Sequence, residues 1–166
     1  MITLFQIDKS GGDIFQKDYS ISLVKNDEEV YGMNIPQSLK DPLLHLFNKG
    51  CIGIKDKLRL SLRTHTAFII LFLQKALRDE GQADKLNIQI CNDYDGHFHE
   101  IKDMIYKHIS QLVPSLKKED VLMSKFQKTS LVNVAAKNLR EKNFKETQNY
   151  IIPKIELEDL IKIIKK

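Results

Sequence analysis

The chain has 166 residues with 42% hydrophobic and 29% charged side chains, the composition of a globular domain with one sizeable core. Its longest apolar run, at residues 67–73, is too short to span a bilayer, and the N-terminus lacks the pattern of a signal peptide; we therefore expect a cytoplasmic protein without a membrane partner. The net charge of +4 is uneven: residues 1–100 carry 12 basic and 14 acidic side chains and residues 101–166 carry 14 and 8, which is compatible with a nucleic-acid partner and also with an ordinary lysine-rich surface.

Three short runs of strand-forming residues open the chain. Polar and apolar residues alternate in the second run, and Pro36 ends the third. The turns between the runs are short, and this predicts an antiparallel meander with strands at residues 2–8, 19–24 and 29–35.

Helices and strands alternate along the rest of the chain. Apolar residues at helical spacing predict helices at residues 37–48, 58–80, 97–112 and 129–142, and a final amphipathic helix marked by apolar residues from 157 to 164. Strand patterns occupy residues 86–91 and 120–126. No linker divides the chain, so residues 1–166 are predicted to form a single domain.

This order of elements resembles the ribonuclease H-like fold. In that fold the first strand is central and the fourth lies parallel beside it, which implies an α/β architecture with a mixed five-stranded sheet, a three-strand meander plus two parallel strands, flanked by helices. The opening Ile7-Asp8-Lys9-Ser10-Gly11 also resembles that of ribonuclease H-like nucleases, most closely a group of phage and prokaryotic proteins that begin Ile-Asp-Glu-Ser-Gly.

The resemblance implies a metal-dependent nuclease. In that family the first aspartate binds a metal pair, here Asp8, and parallel neighbouring strands bring it near Asp93 or Asp95. Carboxylates that converge in this way bind Mg²⁺ or Mn²⁺, and the implied reaction is phosphodiester hydrolysis in RNA or DNA. The alternative for all three aspartates is turn chemistry at strand ends, where an aspartate hydrogen-bonds nearby backbone groups.

Two positions depart from the family pattern. Lys9 stands where the family has glutamate, and Asn133 stands where a late helix supplies an acidic ligand. Asparagine can ligate a metal through its carbonyl oxygen but contributes no charge. The alternative function is therefore a non-catalytic module of the same fold that binds nucleic acid or protein.

The densest group of potential ligands lies at residues 93–100. Asp95, His97 and Glu100, or Asp95 with His97 and His99, are a candidate transition-metal site, and His97 is a candidate proton donor in catalysis. The alternative places the histidines on the exposed first turn of a helix that Asp95 caps.

Three basic residues near the fourth long helix are candidate phosphate contacts, namely Lys128, Lys137 and Arg140. A solvated helix face explains the same pattern. Phosphate-loop, dinucleotide-binding and serine-hydrolase motifs are absent from the sequence, so those enzyme classes have no support.

The two cysteines are Cys51 and Cys91. They form no Cys-x-x-Cys pair, which excludes a zinc ribbon. We expect both to be buried thiols that pack as small hydrophobic side chains.

Overall fold

A computed structural model describes residues 1–81, 83–94, 96–142 and 149–165. One mixed sheet lies at its centre, with strands in the order β3-β2-β1-β4-β5. The strands are β1 (Ile2–Ser10), β2 (Ser20–Lys25), β3 (Glu29–Asn34), β4 (Lys85–Cys91) and β5 (Val121–Ser124). β1, β2 and β3 form an antiparallel meander, whereas β4 is parallel to both β1 and β5. The predicted mixed five-stranded sheet is confirmed.

Five α-helices accompany the sheet in the described part of the chain. They are α1 (Gln37–Asn48), α2 (Lys57–Glu80), α3 (Phe98–Ile109), α4 (Leu131–Glu141) and α5 (Leu157–Lys165). A single 3-10 turn, Lys118–Asp120, precedes β5. None of the helices described here has the length and apolar character that a membrane crossing requires.

The two faces of the sheet differ in polarity. Side chains alternate between faces along a strand, and those of directly paired residues share a face. Ile7 is paired with Leu23 and with Ile90, and all three are buried in the main core. Asp8 is paired with Ser22 and therefore belongs to the opposite face, where α4 packs over β1, β2 and β3.

Small residues let α4 approach that face closely. The hydroxyl groups of Ser20 and Ser22 donate hydrogen bonds to the carbonyl oxygens of Ala136 and Val132, the second at 2.7 Å. A Cβ atom on Gly32 would lie 2.5 Å from the Ile21 carbonyl oxygen and 2.6 Å from Leu139 Cδ1, so only glycine fits there. Because α4 packs closely against the sheet, its first turns lie near the carboxyl end of β1.

α2 is the most deeply buried helix. It packs against the sheet, α3 and α5, and most of its residues are inaccessible to solvent. The Asp56 side chain caps it by accepting a hydrogen bond of 2.8 Å from the Arg59 backbone N–H. A helix that is apolar over most of its circumference is expected in this position, because it is enclosed on several sides.

Three leucines that have the spacing of an apolar helix face are exposed. Leu58 and Leu112 are about half exposed, at 54% and 47%, and Leu131 is also exposed. α3 ends at Ile109 rather than residue 112, and residues 110–112 form a turn ahead of Pro114. The expectation of a buried Cys51 was wrong as well, since this thiol is exposed in the loop between α1 and α2.

The hydrogen bond between Ser22 and α4 leads to a stability prediction. Ser22→Ala is expected to lower the free energy of unfolding by about 1 kcal/mol, because it removes a buried hydrogen bond that seats α4 on the sheet. Urea unfolding of both proteins measures the difference. The control is Ser38→Ala on the exposed side of α1, which we expect to stay within about 0.5 kcal/mol of the parent; equal losses in the two variants would contradict the assigned role.

Candidate functional site

The Asp8 carboxylate is buried near the end of β1, with 3% of the residue exposed. Its Oδ1 accepts a hydrogen bond of 2.8 Å from the Lys9 backbone N–H, and its Oδ2 accepts one of 3.0 Å from the Asn133 side-chain amide. The hydroxyl group of Ser130 caps α4 and accepts a hydrogen bond from the Asn133 backbone N–H, which fixes the first turn of the helix above Asp8. Both oxygens of the Asp8 carboxylate are therefore held in place.

β4 brings two further potential ligands to the same place. Ile7 and Ile90 are partners in the parallel ladder, so the residues that follow them, Asp8 and Cys91, lie side by side. A carboxylate oxygen of Asp8, the Cys91 sulfur and a carboxylate oxygen of Asp93 all lie within 4.8 Å of one another. These three residues are called the Asp8 cluster below.

Burial and mutual repulsion perturb the ionisation of the cluster. Burial raises the pKa of Asp93 to about 6, and the neighbouring Asp8 charge adds to the increase; the Lys9 ammonium and a hydrogen bond from the Cys91 thiol act in the opposite direction. Burial, Asp93 and Asp8 together raise the pKa of Cys91 to about 12, so its thiol is protonated at neutral pH in the absence of a cation. A bound cation would favour the ionised forms of both groups.

The Lys9 side chain folds back over the glycine turn after β1. Its ammonium group donates hydrogen bonds of 3.0 Å to the carbonyl oxygens of Gly11 and Gly12, and it lies 5.4 Å from the centre of the Tyr19 ring. Gly11 has a φ of 116°, and a Cβ there would lie 2.9 Å from the Asp18 carbonyl oxygen, so the turn requires glycine. Lys9 thus places a positive charge close to the Asp8 cluster without being a ligand.

A buried aromatic group supports the loop after β4. The Tyr19 hydroxyl and His65 Nδ1 are joined by a hydrogen bond of 2.8 Å, and the centres of the His65 and Tyr94 rings are 5.3 Å apart. Burial, followed by the effect of Lys9, lowers the pKa of His65 to about 3, so the imidazole is neutral. This packing fixes Tyr94 and, with it, the adjacent Asp93.

The structure brings together only some of the side chains that the sequence indicates. Asp8, Asp93 and Asn133 meet at one end of the sheet. His97 precedes the first residue of α3 and is not among the cluster ligands within the described residues. Asp95 lies outside the described residues.

The other candidate ligands and the candidate phosphate contacts are not members of the Asp8 cluster. His99 is exposed, and Glu100 pairs with two arginines of α2, so neither joins the Asp8 cluster. Lys128 and Lys137 are exposed, and Arg140 lies 3.8 Å from the neighbouring Glu141 carboxylate.

Cys91 is the site residue that sequence reasoning missed. It was expected to pack as a buried hydrophobic side chain, yet it is half-buried and its sulfur belongs to the cluster. The signal was the alternation along β4, where Asn87, Gln89 and Cys91 share a polar face opposite Ile88 and Ile90. A cysteine at the end of a polar face points towards other polar groups.

Two carboxylates and a thiol form an oxygen- and sulfur-containing ligand set. Carboxylates suit Mg²⁺ and Mn²⁺, whereas a thiolate favours softer ions such as Zn²⁺. Rotation of the Asn133 amide by 180° would replace its N–H donors with a carbonyl oxygen, a fourth potential ligand. The residues at this site therefore fit a single divalent cation.

Comparison of this chain with protein families, curated proteins and solved structures found no match in any of the three.

Proposed function

We propose that the Asp8 cluster binds a divalent cation, Mg²⁺ or Mn²⁺, and that the protein uses it to hydrolyse phosphodiester bonds of RNA or DNA on a ribonuclease H-like fold. The observation that carries the proposal is the convergence of Asp8 and Asp93. Their carboxylate oxygens lie within 4.8 Å of each other at the ends of adjacent parallel strands, where burial and the Asp8 charge raise the pKa of Asp93. A bound cation would relieve that conflict by neutralising the two carboxylates.

The topology supports the proposed fold. A central first strand, an antiparallel meander and a parallel fourth strand beside the first are what the resemblance in element order implies. The glycine turn after β1, three residues beyond Asp8, also matches the opening motif, since Gly11 occupies a conformation that other residues rarely adopt.

The chemistry would be divided between the cation and the chain. A bound divalent cation lowers the pKa of a coordinated water molecule and withdraws negative charge from phosphate oxygens. Asp8 and Asp93 would hold it, and the hydrogen bonds from Lys9 and Asn133 keep Asp8 in position. Cys91 would contribute a ligand to softer ions, at the cost of losing its proton.

A second candidate function is a non-catalytic module of the same fold that binds nucleic acid or protein. It is favoured by the uncharged Asn133, whose amide already satisfies one oxygen of Asp8. Lys9, with its effect on Asp93, supplies part of the positive charge that a cation would otherwise bring. The two candidates differ in whether the protein cleaves a substrate when Mn²⁺ is added.

Metal binding and cleavage test the proposal. In calorimetric titration with MnCl₂ we expect saturable binding to the parent protein and an affinity at least about tenfold lower for Asp8→Asn, because a buried anionic ligand is lost. Mn²⁺-dependent cleavage of RNA, single-stranded DNA or branched DNA is expected to disappear in the same variant.

Glu28→Gln is the matched control for this experiment. It removes one exposed carboxylate in the turn between β2 and β3, at the opposite end of the sheet from Asp8, and is expected to bind and cleave like the parent. Equal Mn²⁺ affinity in Asp8→Asn and Glu28→Gln would overturn the metal centre. Metal binding without cleavage of any substrate would favour the binding module.

A further inference from the structure

Two arginines of α2 converge on one carboxylate of α3. Arg59 and Arg63 lie four residues apart and so share a helix face. Glu100 Oε1 lies 3.6 Å from Arg59 Nε and 3.7 Å from Arg63 Nη1. Both distances exceed the usual range of a hydrogen bond, so Glu100 leaves donor capacity on the two guanidinium groups.

Arg63 is held in place before any ligand arrives. Its side chain is only 17% exposed, and its Nε donates a hydrogen bond of 2.8 Å to the Ile164 carbonyl oxygen near the end of α5. Arg59, in contrast, is 59% exposed and can adjust. A fixed guanidinium beside an adjustable one suits an anion that forms several hydrogen bonds, because little conformational entropy is lost on Arg63.

Two adjoining cavities open at these arginines. One has a volume of about 290 Å³ and continues along α3 past His99 and Lys107. The other has a volume of about 400 Å³, shares Arg59 and Arg63 with the first, and continues past Lys55 and Lys165. Together they are called the α2–α3 groove.

The charge of the groove is positive. Two of the acidic residues that line it are already engaged: the Asp103 carboxylate lies 2.9 Å from Lys118 Nζ, and Asp56 caps α2. Glu100 is left to face the two arginines, with Lys107 further along the groove. An incoming phosphodiester group carries the same charge as Glu100, and its two non-bridging oxygens can accept hydrogen bonds from both guanidinium groups.

We propose that the α2–α3 groove binds the phosphodiester backbone of a nucleic-acid strand. In the complex, phosphate oxygens accept hydrogen bonds from Arg59 and Arg63 in place of Glu100. This inference rests on the proposed nuclease or nucleic-acid-binding function and says where the strand lies. His65, two residues after Arg63 on α2, contacts Tyr94 beside Asp93, so this part of α2 lies at the same end of the sheet as the Asp8 cluster. The groove is separate from Lys128, Lys137 and Arg140, the contacts that the sequence indicates.

Fluorescence anisotropy tests this inference by measuring the affinity for a labelled single-stranded oligonucleotide. One series of measurements uses RNA and the other uses DNA. All proteins carry Asp8→Asn and are measured in EDTA, so that neither metal binding nor cleavage affects the result. Arg59→Gln with Arg63→Gln is expected to weaken binding by about tenfold or more and to reduce its salt dependence. Lys137→Gln with Arg140→Gln changes the net charge by the same amount and is expected to alter the affinity by less than about threefold.

Glu100→Gln tests the inference in the opposite direction. It removes the carboxylate that competes for the arginines and leaves both arginines in place, so we expect tighter binding by about threefold or more. Because Arg63→Gln also breaks the contact with Ile164, thermal melting accompanies every variant; if the arginine pair fails to fold, Glu100→Gln decides alone.

Three results would overturn the inference. They are equal losses in the two double variants, unchanged or weaker binding by Glu100→Gln, and displacement of the oligonucleotide by inorganic phosphate at matched phosphate concentration, which would indicate a small-anion pocket. None of these results bears on Mn²⁺ affinity. Conversely, if the titration with MnCl₂ shows no binding, the oligonucleotide affinities measured in EDTA are unaffected.

Discussion

Asn133→Asp is expected to destabilise the metal-free protein by about 3 kcal/mol at neutral pH and to make its stability depend on a divalent cation. The Asn133 amide donates a hydrogen bond of 3.0 Å to Asp8 Oδ2, and Asp8 is almost completely buried. A carboxylate in place of that amide replaces a donor with a second negative charge at contact distance. Two carboxylates so close cannot both be ionised without a large cost, and Asp93 already lies beside them.

The same substitution supplies the charge that the site lacks. In the Asn133→Asp variant three carboxylates surround one position, and we expect Mn²⁺ to bind about a hundredfold more tightly than in the parent protein. Urea unfolding in EDTA and in excess MnCl₂ measures both effects. The variant should be less stable than the parent in EDTA and should gain more stability from Mn²⁺.

Gln127→Glu is the control, because it adds the same charge at an exposed position shortly before α4. It is expected to remain within about 0.5 kcal/mol of the parent in both conditions. If Asn133→Asp loses no stability in EDTA, the side chain at this position does not face Asp8. If it loses stability that Mn²⁺ does not restore, the Asp8 cluster is not a cation site.

The architecture was predictable because its signals are local. β4 alternates strictly between polar and apolar residues, and α2 carries a long apolar pattern that begins after a capping aspartate, Asp56. Once β1 and β4 are placed as parallel neighbours, the register of the ladder puts Asp8 beside Cys91, and Asp93 follows two residues later at the same end of the sheet. A sequence pattern thus located the polar end of the sheet.

The details of packing were not predictable, because they depend on residues far apart in the chain. Leu131 has the right spacing for the buried face of α4, yet it is exposed. The rotation of α4 is set by its contacts with Ser22 and Gly32, which no local pattern in α4 reveals. For the same reason the pairing of Glu100 with Arg63 could not be inferred from either helix alone.

Two neighbouring residues partly offset the negative charge of the Asp8 cluster. Asn133 donates to Asp8, and Lys9 opposes the increase in the pKa of Asp93. The Cys91 thiol nevertheless keeps its proton at neutral pH, because burial and the charges of Asp93 and Asp8 raise its pKa to about 12. Because a cation would have to displace these protons, we expect higher pH to favour the cation binding that we propose.

Asp93→Asn is expected to stabilise the metal-free protein, and the gain should grow with pH. The pKa of Asp93 is raised from 3.8 to about 6 in the folded state, chiefly by burial. The folded protein therefore holds a proton that the unfolded chain releases, so the stability that this proton contributes is complete below about pH 4 and is lost as the pH rises through 6. A shift of this size corresponds to about 3 kcal/mol, which we reduce to about 2 kcal/mol because the carboxylate keeps some contact with water.

Urea unfolding in EDTA between pH 4 and pH 8 measures this effect. Asp93→Asn and the parent should be similar at the acidic end, and the variant should be more stable by about 2 kcal/mol at the alkaline end, since an amide cannot ionise. Glu28→Gln removes an exposed carboxylate and should follow the parent throughout. Saturating Mn²⁺ should reverse the order above pH 6, because only the parent gains a carboxylate ligand. A difference that does not change with pH would show that Asp93 ionises in the folded protein as readily as in the unfolded chain, and the electrostatic conflict on which the metal centre depends would then be absent.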